Sequence, residues 1–96
     1  MSYSEYVHYS LDPTGKTRFY GIYRGLVANN YDPESRNRLS IVIPQVTGSD
    51  RLDLVPACFP PILASSPVVL PEIATEVWVM FESGDPNYPV WIGVKP

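Results

Sequence analysis

Apolar and polar positions alternate most clearly in five short runs of this chain, each bounded by glycine, proline, asparagine or aspartate. From 19 to 29, Phe19, Tyr23 and Val27 fall on one face and Tyr20, Ile22, Leu26 and Ala28 on the other. That is the period of a half-buried strand. Gly21 and Gly25 interrupt the run four apart, and glycine inside a strand predicts a bend or a close backbone approach. From 38 to 44, Leu39, Ile41 and Ile43 share a face, and Pro44 ends the strand by removing a backbone donor. Leu52, Leu54 and Val55 predict a short third strand over 52–55. Glu76 and Glu82 bracket the uncharged run Val77-Trp78-Val79-Met80-Phe81, which predicts a fourth strand over 76–82, and a fifth follows over 90–94. The last two are joined by Ser83-Gly84-Asp85-Pro86-Asn87-Tyr88-Pro89. Gly84 can take positive φ, Pro86 pre-sets φ for a turn, and Asp85 and Asn87 can bond their own backbone, so a hairpin with a loop of about six residues is expected.

The remaining chain organises these strands. Residues 1–18 are polar and tyrosine-rich, and Asp12-Pro13-Thr14-Gly15 is a turn signal that ends them as an N-terminal arm. In the first hairpin loop Asp32 starts a turn with Pro33 at its first central position. Asn37 is placed to adopt the left-handed conformation. Residues 45–75 are irregular, with prolines at 56, 60, 61, 67 and 71. No ten-residue window free of proline or glycine carries helical periodicity, so no helix is expected. The predicted fold is therefore all-β: a small five-stranded OB-like barrel over 19–96, with the tyrosine-rich arm before it and a long loop between strands 3 and 4. An SH3-like barrel or an open meander fits the pattern as an alternative.

Composition narrows the chemistry. The 96 residues suffice for one modest core, and the 11 prolines and 6 glycines lie between apolar runs rather than in one tract. Net charge is −3, against the basic surplus of a general nucleic-acid binder. A single-stranded nucleic-acid platform of Tyr20, Tyr23 and Arg24 is the rival reading, since OB barrels present aromatics beside basic groups. Cys58 is the one cysteine, which excludes an intrachain disulfide and reads as a small buried hydrophobe or an idle thiol. His8, the one histidine, lies in the polar arm without evident partners. Asp32/Glu34, Asp50/Asp53 and Glu72/Glu76 sit at turns or strand ends, where solvated charges are the default rather than a catalytic dyad. No phosphate loop or metal-ligand spacing appears, so no catalytic, cofactor-binding or metal residue is predicted. No run approaches the ~18 apolar residues of a membrane helix. The N-terminus lacks the basic and apolar blocks of a signal peptide, so a soluble domain made inside the cell is expected.

Three stretches carry a family resemblance. Tyr23-Arg24-Gly25-Leu26-Val27-Ala28-Asn29-Asn30 is similar to an opening strand of the form G-x-V-x-x-N. Asp32-Pro33 through Asn37-Arg38-Leu39 to Pro44 is similar to D-P-x-x-x-G-R-V-x-V-x-x-P, with Asn37 where glycine is usual. Leu70-Pro71 through Gly84-Asp85-Pro86 to Gly93 is similar to P-x-x-G-x-x-V-x-V-x-F-x-x-G-D-P-x-x-P-V-x-x-G, with Ala74 in a usual glycine position. Together, over 19–94, they resemble the OB-fold domain of phage baseplate central-spike proteins and of the related type VI secretion spike proteins. The resemblance implies a non-enzymatic virion component of a contractile tail's baseplate, in contact with hub and spike proteins and present as a homotrimer on a threefold axis. Larger spikes continue into a lysozyme domain or a β-helical needle. The chain given ends at Lys95-Pro96, so lytic activity is not carried over; an isolated OB domain of a longer spike fits equally. The fold-defining turn residues are Asp32, Pro33, Asn37, Gly84, Asp85 and Pro86. Tyr3, Tyr6 and Tyr9 of the arm, with Phe59, Val68 and Leu70 of the long loop, are the candidate protein contacts. Nucleic acid and membrane insertion are not expected.

Overall fold

A computed structural model describes residues 10–11, 15–60 and 68–96. The strands are β1 (Ser10–Leu11), β2 (Thr17–Arg18), β3 (Tyr23–Asn29), β4 (Leu39–Val42), β5 (Arg51–Val55), β6 (Glu76–Phe81) and β7 (Pro89–Val94). β1 and β2 form a small antiparallel ribbon. The other five make one sheet in the order β5-β4-β3-β6-β7, with every neighbouring pair antiparallel. β6 thus returns to β3 rather than to β5, which rules out the open meander. Just after β5, the Cys58 N–H donates to the Trp91 carbonyl at 2.9 Å and the Trp91 N–H donates to Pro56 O at 3.0 Å. This parallel bridge from Ala57 to Trp91 joins the two ends of the sheet. The molecule is a small OB-like all-β barrel.

Alternation fills the interior. Tyr23 and Val27 of β3, Leu39 and Ile41 of β4, Val77, Val79 and Phe81 of β6 and Trp91 of β7 form the buried core with Ile43 and Val55. Three bulges curl the sheet. Ala28 is the extra residue between β3 and β4, Asp53-Leu54 lie opposite Ser40 between β4 and β5, and Ile92 is extra between β6 and β7. Each puts one more residue on one strand than on its partner and sharpens the local twist. Gly25 shows why the barrel is this tight: a Cβ there would stand 2.5 Å from Ile41 Cγ2 and 3.0 Å from Val79 Cγ2.

Four expectations need correction. The strand predicted over 19–29 begins only at Tyr23, because Gly21 takes φ 91° and breaks the run before it. A helical turn, α1 (Pro44–Thr47), follows β4, with Pro44 in the first turn where its missing N–H costs nothing. Four residues are too few to show a helical period. Leu54, read as part of a regular strand, has φ 54° and turns outward at the bulge. Cys58 is exposed, which overturns the buried-hydrophobe half of its reading, while its backbone serves the bridge to Trp91.

Candidate interaction surfaces

The loop between β3 and β4 is built around one carboxylate. Asp32 Oδ1 accepts from the Glu34 N–H at 2.9 Å and from Arg38 Nη2 at 2.9 Å. Its Oδ2 accepts from the Arg36 N–H at 3.0 Å, the Arg38 N–H at 3.2 Å and Arg38 Nε at 2.9 Å. Asp32 side chain is 2% exposed, so the reading of it as a solvated charge is wrong. The sequence shows a turn former, but the five donors come from residues that only the folded loop brings inward. The Arg38 guanidinium, and then the Glu34, Arg38 and Arg36 backbone N–H groups, hold its carboxyl far below the usual carboxylate range, against the opposing effect of burial. Asp32 in turn raises the Arg38 pKa. Pro33 lies in the turn closed by the Ser35 N–H donating to Asp32 O at 3.0 Å. Ser35 and Asn37 take φ 55° and 60°. The Asn37 carbonyl accepts from Trp91 Nε1 at 3.0 Å, which ties this loop to the strand that closes the barrel.

The β6–β7 turn is a second fixed point. The Tyr88 N–H donates to Asp85 O at 3.0 Å, the Glu82 N–H to Tyr88 O at 2.9 Å, and the Asn87 N–H to Asp85 Oδ1 at 2.9 Å, so Pro86 sits inside a closed turn. This turn also holds the segment that enters the barrel. The Phe19 N–H donates to Gly84 O at 2.7 Å, and Arg18 Nη1 lies 3.4 Å from Asp85 Oδ2. Gly84 has φ 72° and lies under the Tyr20 ring, where a Cβ would stand 2.7 Å from Tyr20 Cε1. Phe19 then packs on Tyr23 and Phe81, with centroids 6.2 and 5.9 Å apart. The turn is legible in the sequence but its grip on 18–20 is not, because nothing in local spacing pairs Arg18 with Asp85.

The residues proposed as contacts divide. Tyr3, Tyr6 and Tyr9 lie outside the described residues. Phe59 meets the Trp91 ring edge-on at 5.0 Å, and Leu70 packs against the core, so both cap this barrel. Val68, half-buried, joins Asn30, Tyr31 and Leu70 around a cleft of about 390 Å³. Its neighbour Val69 is 97% exposed.

The rival platform loses its central aromatic, although Tyr20 and Arg24 are exposed. Tyr23 is 1% exposed and its hydroxyl donates to Tyr20 O at 2.7 Å, while burial raises its pKa, so its ring has no face for a base to stack on. Of the carboxylate pairs, Asp53 accepts from Ser40 Oγ at 3.0 Å and lies 2.9 Å from Arg51 Nε, and Glu76 lies 3.9 Å from Lys95 Nζ. Among the described residues no three of His, Cys, Asp and Glu converge on a possible metal position, and no helix is long and apolar enough to cross a membrane.

One surface went unnoticed in the sequence. Residues paired across antiparallel strands point to the same side. The outward row Arg24–Trp78–Gly93 and the pairs Met80–Val90 and Leu26–Glu76 therefore share the outer face of β3, β6 and β7. Leu26 and Met80 are exposed there, although an outward sheet face is ordinarily polar. The alternation that assigns one face to the core leaves the other to be judged by residue type, and this one is mainly apolar.

No curated protein matches the chain significantly. The match that does appear covers residues 23–95, from the first residue of β3 to just past the last of β7, and its model describes the type VI secretion system/phage-baseplate injector OB domain; the chain belongs to that family.

Proposed function

We propose that this chain is a non-enzymatic structural module of a phage tail baseplate, an OB barrel of the central spike or hub that assembles in three copies around a threefold axis. The observation that carries the reading is the family match over the whole barrel. The geometry supports it, because the best-organised charged group, Asp32 with Arg38, is consumed in holding a loop. Its partners in this reading are the hub and spike proteins of the baseplate, and its place is the virion tail. Labelling the chain in intact particles and imaging them by electron microscopy tests this. Density on the tail's central axis is the expected result; density elsewhere, or none in the particle, removes the assignment.

A further inference from the structure

We propose that the edge of β3 at Arg24 takes an extended, acidic segment of another protein as an added strand. The proposal does not depend on the baseplate reading. In a strand, successive residues aim their N–H and C=O groups at opposite neighbours. Val27 aims at the β6 side, since its N–H donates to Thr75 O at 3.0 Å and its carbonyl accepts from the Ala74 N–H at 2.8 Å. Leu26 and Arg24 therefore aim at the β4 side. β4 pairs Val42 with Leu26, and the same register places Pro44 opposite Arg24. However, β4 ends at Val42, and Pro44 has no N–H and opens α1. The Arg24 N–H and C=O are thus left at an open edge, without a hydrogen-bond partner among the described residues. Such an edge is a template for a further strand.

The side chains beside this edge define what the added strand carries. Arg24, Gly25, Leu26, Pro44, Gln45 and Glu76 line a cleft of about 440 Å³. Arg24 is exposed and makes no ion pair among the described residues, whereas Glu76 lies 3.9 Å from Lys95 Nζ. The unanswered charge at the edge is therefore positive, and a carboxylate directly across from it makes a favourable cross-strand pair. Leu26 and Pro44, both exposed, give the cleft an apolar wall. The segment accordingly places an apolar side chain on the same face as its acid, two residues away. A second copy fits this edge poorly. Two-fold pairing of so short an edge with itself sets Arg24 against Arg24, and like charges directly opposite are destabilising.

Selection of a random heptapeptide library on the purified full chain tests this. Enriched peptides are expected to share an Asp or Glu two residues from an apolar residue. Arg24→Glu should weaken their binding about tenfold and select Lys or Arg at the acidic position instead. Strand addition is read on the peptide itself. N-methylation at alternate backbone positions should weaken binding about tenfold, and at the intervening positions should leave it unchanged. The Arg24 amide should exchange rapidly in the chain alone and slowly at saturating peptide. Three results overturn the proposal: no enriched pattern, enrichment that Arg24→Glu leaves unchanged, or an N-methylation series without alternation. An Arg24 amide protected before peptide is added also overturns it, since the chain's own residues or a second copy would then fill the edge. The N-methylation series needs no protein variant, so it decides the matter if Arg24→Glu fails to fold.

Discussion

Ala74 holds φ 74° at the turn leading into β6, with its N–H donating to Val27 O at 2.8 Å. A Cβ in the left-handed region costs roughly 1–2 kcal/mol, and glycine gives back part of that gain through its freedom in the unfolded chain. Ala74→Gly is therefore expected to raise stability by about 0.5–1 kcal/mol, read as a higher urea midpoint with unchanged slope; an unchanged or lower midpoint refutes it. Gly25 answers to close approach instead. Gly25→Ala drives a methyl into Ile41 and Val79 on neighbouring strands and should cost about 1–3 kcal/mol in the same measurement. The motif resemblance already marks position 74 as a glycine place and the strand pattern marks Gly25 as anomalous. Which atoms Gly25 would strike was not legible, because Ile41 and Val79 arrive from strands 16 and 54 residues away.

At the scale of elements, the loop from Asn30 to Arg38 owes its shape to ionised Asp32. An unfolded aspartate titrates near 3.9, and the folded carboxyl titrates well below that. The unfolded state therefore binds the proton more readily, so this contribution is complete at neutral pH and is lost as pH falls from about 4 through the folded value. Asp32→Asn should lower the melting temperature at pH 7, where Arg38 loses its principal acceptor. The gap to wild type should narrow at pH 3. A gap that is constant with pH would show that the loop does not depend on the charge. The Asp-Pro turn was visible in the sequence. The five-donor cage was not, since Ser35 and Asn37 must both turn left-handed before the Arg36 and Arg38 N–H groups point inward.

For the whole molecule, Trp91 is where the barrel closes. Its backbone makes the parallel bridge to Pro56 and Cys58, its indole N–H reaches the Asn37 carbonyl, and its ring meets Phe59. Trp91→Phe removes the indole donor, leaves the carbonyl without that partner and opens space in a site only 2% exposed. A loss of about 2–4 kcal/mol is expected from the missing hydrogen bond and the smaller ring, measured by urea unfolding monitored by far-UV circular dichroism. A loss below ~1 kcal/mol would mean that the closure is carried by the backbone bridge alone.

The sequence by itself determined the strand alternation of the barrel, its inward face and the turns around Asp32 and Gly84-Asp85-Pro86, because period-2 burial and positive φ are local constraints written in neighbouring residues. It also carried the family, through motifs whose order is kept. Tertiary structure alone decided that Phe59 and Leu70 cap the core, that Tyr23 is unavailable to a ligand and that Asp85 holds Arg18. It also decided that Arg24, Trp78 and Met80 share one outer face. These are meetings between residues far apart in the chain. They depend on strand order and register, which local alternation does not specify until the sheet closes.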